Sequence, residues 1–289
     1  MKQGLITKGV GGFYDVLVNE ELIRCRARGI FRKDNITPMV GDRVKVSMED
    51  KSIVEILPRK NQLLRPVVAN IDLLGVVIAP SHPAPDFYLA DRLIVNAENN
   101  GIQVFIIINK IDLGEDGIID EIIHTYAPTQ YPIIALSCKK QSGFDDLHKL
   151  IKGKIITFAG QSGVGKSSII NVLSPGENLE IGDLSLRISR GKHTTRHTSL
   201  LTLPSGGMLV DTPGFSTMNM DELMPENLQY MYPDFSDYIG KCRFKGCIHD
   251  QEPGCKVKEM VSNDLLSGDR YKRYIKLLNE LREIRRNIW

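Results

Sequence analysis

The segment Gly160-Gln161-Ser162-Gly163-Val164-Gly165-Lys166-Ser167 has the spacing G-x-x-x-x-G-K-[ST] of a phosphate-binding loop. Its glycines let backbone N–H groups curl around a β-phosphate at a helix N-terminus, where the dipole favours negative charge. Lys166 supplies a point charge to the β- and γ-phosphates and Ser167 a hydroxyl ligand for Mg²⁺, with Ser168 completing the nucleotide-binding set on this segment. Such a loop needs a strand before it and a helix after it. The apolar run Ile155 to Ala159 and the helix-compatible Ser168 to Leu173 meet both requirements.

Asn109-Lys110-Ile111-Asp112 closes a second apolar run, Gln103 to Ile108. A carboxylate at Asp112 can accept from both N1–H and the 2-amino group of guanine, donors that adenine lacks, so an ATP-dependent reading is disfavoured. Asn109 is expected to tie this base loop to the phosphate loop, with the Lys110 stem along the ring face. Ser137-Cys138-Lys139 ends the run Ile133 to Ser137 and would present a backbone N–H to guanine O6. Asp211-Thr212-Pro213-Gly214 follows Met208 to Val210, where the aspartate can hold Mg²⁺ through water and the Gly214 N–H can meet the γ-phosphate. Cys242, Cys247, His249 and Cys255 supply three thiolates and an imidazole within 14 residues. That is a full tetrahedral set for one closed, structural Zn²⁺, the alternative being unliganded buried cysteines.

These groups must be held by elements that the hydrophobic pattern outlines. Five short strand candidates, Leu5 to Lys8, Phe13 to Val18, Glu21 to Arg28, Asp42 to Met48 and Ser52 to Leu57, suit a small closed barrel of the OB type. Alternation in the third puts Ile23, Cys25 and Ala27 on one face and Arg24, Arg26 and Arg28 on the other, as a phosphate track or a solubilising face. Cys25 reads as a small core residue. From Asn70, apolar strands (Leu73 to Ala79 and those above) alternate with helical segments at Phe87 to Asn99, Ile118 to Tyr126 and Phe144 to Ile151, which predicts a parallel sheet with helices on both faces. Leu179 to Leu203 reads as strand, loop, strand. A final helix of roughly 18 residues carries an apolar stripe of Tyr271, Tyr274, Leu278, Leu281, Ile284 and Ile288, which suits core packing or a partner.

With 289 residues, 42% of them apolar and 25% charged, the chain can bury two or three cores. The expected division is residues 1–65, an RNA-binding barrel; 66–225, the nucleotide domain; and 226–289, a zinc-binding, mostly helical domain. Residues 1–65 hold thirteen Lys and Arg against eight Asp and Glu, and residues 256–289 nine against five, whereas those between hold fifteen against twenty-two. Basic ends around an acidic centre suit flanks that touch a polyanion. No apolar run approaches the ~18 residues of a membrane helix. Met1 to Lys8 lacks the apolar core of a signal peptide, so a cytoplasmic protein with reduced thiols and no membrane partner is expected.

In ordinary Ras-like GTPases the phosphate loop precedes the Asn-Lys-x-Asp motif; here the order is reversed. This permutation, the barrel and the Cys-x₄-Cys-x-His-x₅-Cys cluster together resemble the ribosome small subunit-dependent GTPase family (RsgA). The resemblance implies an α/β fold built on a circularly permuted P-loop GTPase domain. It also implies GTP and GDP with Mg²⁺ as ligands, and a monomer that binds the 30S ribosomal subunit and 16S rRNA late in subunit maturation. Two classes of function follow, an enzyme stimulated by the subunit and an RNA-binding assembly factor that GTP only gates. Gly191 to Arg196 resembles the first switch, with Thr195, or else Thr194, as Mg²⁺ ligand. Phe215 stands where Ras-like enzymes carry a water-orienting glutamine, so His193 becomes the expected catalytic group, with Arg187, Arg190, Lys192 and Arg196 around it and His197 less well placed.

Overall fold

The computed structural model describes residues 1–29, 31, 36–64, 66–114, 116–175, 198–211 and 223–286. The expectations for Leu179 to His197, including His193, Thr194 and Thr195, and for Gly214 and Phe215, lie outside these residues.

Strands β1 (Lys2–Val10), β2 (Phe13–Val18), β3 (Glu21–Ala27), β4 (Arg43–Ser47) and β5 (Ser52–Ile56) pair in the order β1-β2-β3-β5-β4, and β4 pairs back to β1. The sheet thereby closes into the five-stranded barrel that the turn spacing predicts. Ile6, Val16, Cys25, Val44, Val46 and Ile53 fill it and are fully buried. Gly4 is required where β1 crosses β2, because a Cβ there would sit 2.6 Å from Val16 Cγ1. On β3 the alternation holds, with Cys25 buried and Arg24, Arg26 and Arg28 exposed. Arg24 pairs with Asp15 at 2.9 Å, Arg28 with Asp50 at 3.3 Å, and the Arg26 guanidinium lies 4.7 Å over the Phe13 ring.

A hairpin of two three-residue strands that periodicity misses, β6 (Gln62–Leu64) and β7 (Val67–Ala69), leads out of the barrel. The joint is held by Arg59 on the buried Asp42 at 2.7 Å and by Asn61, whose side chain bonds both the N–H and the C=O of Ile71.

Beyond it lie β8 (Leu73–Ile78), α1 (Phe87–Asn99), β9 (Gln103–Asn109), α2 (Asp116–Tyr126), β10 (Ile133–Leu136), α3 (Phe144–Ile151), β11 (Ile155–Ala159), α4 (Lys166–Leu173), β12 (Ser199–Thr202) and β13 (Met208–Asp211). The order is β10-β9-β8-β11-β13-β12, parallel except for β12. Alternation sorts β8 between two layers. Leu74, Val76 and Ile78 face Ala90, Leu93 and Ile94 of α1, whereas Leu73 and Val77 join Leu147 of α3 and Ile169 of α4. The chain builds outward from β8 to β10, then α3 carries it back to β11 on the other side of β8. That reversal opens a crevice at the carboxyl ends of β8 and β11, where doubly wound sheets bind ligands. One pairing joins the halves of the molecule: Lys8 of β1 lies opposite Ser199 of β12, itself opposite Asp211 of β13.

After Leu223 come two 3₁₀ segments, Pro225–Met231 and Pro233–Phe235, then α5 (Lys256–Ser262) and α6 (Gly268–Arg286). The buried stripe of α6 differs from the expected one. Tyr274, Leu277, Leu278 and Leu281 are buried with Arg270, whereas Tyr271 and Ile284 are half-buried and Ile288 lies outside the described residues. These side chains pack on Leu228, Tyr232, Phe235 and Val95 of α1, so α6 completes a core of its own chain. No helix of the described residues is long and apolar enough to cross a membrane.

Arg270 enters that core because two carboxylates meet it. It is 1% exposed, pairs with Asp234 at 3.1 Å and with Asp91 of α1, and lies between the rings of Tyr126 and Tyr232. Asp91 also accepts from Arg273 and from Tyr126 Oη. Arg270→Ala is expected to lower stability by about 3–5 kcal/mol, since it leaves the buried Asp234 without its cation and takes one of three donors from Asp91. The urea midpoint, followed by circular dichroism, reads this out; an unshifted midpoint would show that the apolar contacts of α6 suffice.

Candidate nucleotide site and metal cluster

The phosphate loop leaves β11 at Gly160 and enters α4 at Lys166. Two of its glycines have no substitute. A Cβ on Gly160 would lie 2.3 Å from Val77 O, and on Gly165, at φ 97°, 2.2 Å from Asn109 Nδ2. The Lys166 ammonium donates to the Gly160 and Gln161 carbonyls at 2.8 Å each, and burial pulls its pKa down to about 8. A phosphate beside it would favour the charged form again. Ser162 is exposed on the loop, while Ser167 and Ser168 sit half-buried in the first turn of α4.

Asn109 ends β9 almost fully buried, and its Nδ2 donates to Val164 O at 2.8 Å. Lys110 Nζ donates to Gly163 O at 2.7 Å and to His82 O, in the loop after β8, at 2.5 Å. The base loop and the phosphate loop are thereby joined at two points. Ser137 Oγ donates to Asp112 Oδ1 at 2.5 Å, and this bond, ahead of the nearby Lys139 and Lys140 charges, holds the Asp112 carboxyl below its ordinary value. An ionised Asp112 is the form that can accept from two guanine donors. The Cys138 thiol lies 3.4 Å from Asn109 Oδ1, and Lys139 is exposed beside them. Asp211 ends β13, next to the phosphate-loop strand.

Sequence reasoning missed the His82 carbonyl, because which backbone oxygen a lysine reaches depends on loop geometry alone. It also missed Gln229, which has no local motif.

Gln229 belongs to the Cys/His cluster. The ligand atoms of Cys242, Cys247, His249 and Cys255 lie within 4.8 Å of one another. His249 Nδ1 is 3.6, 3.5 and 3.4 Å from the sulfurs of Cys242, Cys247 and Cys255, and Cys242 Sγ is 3.9 Å from Cys255 Sγ. A zinc tetrahedron with ordinary bond lengths has S···S edges of ~3.8 Å and S···N edges of ~3.6 Å, so the four donors fit Zn²⁺. His249 Nε2 meets Gln229 Oε1 at 3.1 Å, which makes Nε2 the protonated nitrogen and leaves Nδ1 for the metal. Backbone N–H groups of His249 and Lys256 point at Cys247 and Cys242 sulfurs at 3.4 and 3.3 Å, as thiolates require. Burial raises the Cys247 and Cys255 thiols, so their ionisation at neutral pH calls for a cation. Tyr271 and Tyr274 of α6 donate to the His249 and Ile248 carbonyls at 2.8 and 2.7 Å, anchoring the cluster to the helix.

The family model described as RsgA GTPase matches residues 56–221, and the RsgA N-terminal domain matches 3–54. A protein of Ruminiclostridium cellulolyticum named small ribosomal subunit biogenesis GTPase RsgA is 43% identical, the match covering 98% of this chain and 95% of that one. One of the same name from Alkaliphilus metalliredigens is 41% identical, over 99% of this chain and 100% of that one. Among solved structures, YjeQ from Thermotoga maritima superposes with a TM-score of 0.85 at 36% identity, covering 97% of this chain and 98% of its own. YloQ, described as a circularly permuted GTPase, gives 0.83 at 37%, covering 98% and 96%. The reversed order of base loop and phosphate loop, the closed barrel and the Cys/His cluster accord with this likeness, and the chain belongs to the RsgA GTPase family.

Proposed function

We propose that this GTP hydrolase binds GTP and GDP in the crevice beyond β8 and β11 and acts on the small ribosomal subunit, binding its 16S rRNA late in maturation. The observation that carries the nucleotide reading is the Asn109 to Val164 bond at 2.8 Å, which sets a guanine-reading loop against a phosphate loop 55 residues away. Asp112 reads guanine N1–H and the 2-amino group, a backbone N–H of Ser137 to Lys139 meets O6, and Lys110 lies along the ring. The N–H groups of Gly160 to Ser168 cradle the phosphates, and Lys166 exchanges its two carbonyl contacts for phosphate oxygens. Ser167, Asp211 and a switch threonine, Thr195 or else Thr194, would hold the Mg²⁺, which would supply positive charge against the phosphate oxygens. Gly214 meets the γ-phosphate, and His193 orients the attacking water for in-line displacement.

The partner is suggested by the relatives' names, which specify small ribosomal subunit biogenesis. The exposed arginines of β3 suit rRNA phosphates. Arg24 and Arg28 pair with the carboxylates of Asp15 and Asp50 and Arg26 lies over the Phe13 ring, exposed contacts that water and salt weaken, so exchange for phosphate is easy. Residues 1–65, 66–225 and 226–289 then serve as RNA-binding, GTPase and zinc-stabilised units of a cytoplasmic monomer. Co-sedimentation with 30S particles in GDP and in a non-hydrolysable GTP analogue tests partner and switch together; equal absence from the pellet in both would refute the assignment.

Asp112→Asn is expected to weaken GTP binding and favour xanthine nucleotide, because the acceptor becomes a donor facing a carbonyl. Unchanged GTP affinity in equilibrium titration would refute the base assignment. Metal analysis of chelator-free, reduced protein should find one zinc per chain. Cys247→Ser should lose it and unfold the region after Pro225, as zinc-binding energy is folding energy in so small a cluster; a zinc-free wild type that keeps its fold would count against this. His193→Ala is expected to bind GTP and subunits normally yet lose roughly 10²-fold of the subunit-stimulated rate. Stimulation equal to wild type would transfer the role to Thr194, His197 or a ribosomal group.

A further inference from the structure

We infer that Cys138 is a positioning residue for the guanine site, its thiol holding the Asn109 amide in the orientation that locks the base loop to the phosphate loop. This rests on the reading of Asn109 to Asp112 as the base loop and adds a role for a side chain whose backbone alone was assigned above.

The chemistry of the donors leaves one arrangement. Val164 O is a backbone carbonyl and can only accept, so the Asn109 atom 2.8 Å from it is Nδ2. The amide atom 3.4 Å from Cys138 Sγ is then Oδ1. An amide oxygen also only accepts, so the sulfur must carry the proton. Burial pushes the Cys138 thiol up to about 11, which keeps it protonated at neutral pH. A flipped amide would set Oδ1 against Val164 O, two acceptors facing each other, and would offer the thiol a donor in place of an acceptor. Both contacts therefore select the same rotamer.

The site makes this selection consequential. Asn109 is 1% exposed, so water does not take over the role of a lost donor. The space beside Nδ2 is closed as well, since a Cβ on Gly165 would lie 2.2 Å from it. Ser137, the preceding residue, does the same for Asp112 through its Oγ at 2.5 Å. Neighbouring side chains of one loop thus orient the two polar residues at either end of the Asn109 to Asp112 segment.

The test compares Cys138→Ala, which removes the donor, Cys138→Val, which keeps bulk without a donor, and Cys138→Ser, which keeps a donor. GDP affinity and the KM and kcat for GTP are measured in full-length protein. Cys138→Ala and Cys138→Val should weaken GDP binding roughly fivefold, the scale of one net hydrogen bond, and raise KM with kcat held. Cys138→Ser should recover part of the loss. In an Asn109→Ala background, Cys138→Ala should have no further effect, an outcome that general loosening of the loop would not produce. Wild-type affinity in both donor-free variants, or an undiminished effect in the Asn109→Ala background, would overturn the inference. Wild-type protein that binds GDP no better than ADP would instead overturn the base-loop reading on which it rests.

Discussion

The hydrogen bond from Asn109 to Val164 is the constraint around which the nucleotide site is organised. By itself it is worth about 1 kcal/mol. Its importance is geometric, because it sets the distance between the loop proposed to read a base and the loop proposed to wrap a phosphate. The parallel sheet makes that bond available. β9 and β11 flank β8, and all three release their loops at the same edge. Lys110 closes the gap between them by reaching His82 in the middle loop and Gly163 in the phosphate loop. Circular permutation changes which strand comes first but not which strand ends touch, so the site survives reordering of its motifs.

The C-terminal region is coupled to that sheet through α1. This helix starts just after the β8 loop, capped by Asp86, and gives Asp91 and Arg92 to α6 through Arg270, Arg273 and Glu280. Tyr274, Leu277, Leu278 and Leu281 supply most of the attachment energy, at about 1.5–3 kcal/mol for each buried side chain before entropy is counted. The buried ions supply little net energy by comparison, since desolvation offsets much of their attraction. They specify register: a helix rotated by one residue would bury Arg270 without its acids. The Cys/His cluster hangs on the same helix through Tyr271 and Tyr274, so the cluster, α6 and α1 form one packed unit.

On the other side, the barrel shares hydrogen bonds with the nucleotide sheet. Lys8, Ser199 and Asp211 stand opposite one another on β1, β12 and β13. The end of β13 that carries Asp211 is therefore braced through β12 by the barrel. The Asp42 to Arg59 pair and the Asn61 to Ile71 bonds fix the covalent joint close by. Both flanking regions are thus attached at strands or helices that border the nucleotide crevice.

Much of this was legible in the residues alone. Period-2 alternation in β2 and β3, apolar runs at β8, β9 and β11, and 3.6-residue spacing in α1 and α3 come from local burial, which each segment carries in its own pattern. The phosphate loop, the Asn-Lys-x-Asp tetrapeptide and the Cys/His spacing are legible for the same reason, since a few adjacent residues define each. Contacts between segments far apart in sequence were decided only by tertiary structure. The three-residue strands β6 and β7 are too short to show a period. The expected stripe of α6 did not include Arg270, because an arginine is buried only when acids such as Asp91 and Asp234, 179 and 36 residues away, converge on it. Gln229 behind His249, His82 behind Lys110 and the Cys138 thiol behind Asn109 have no sequence signature, because hydrogen-bond partners are chosen by proximity and direction, which exist only once the chain is folded.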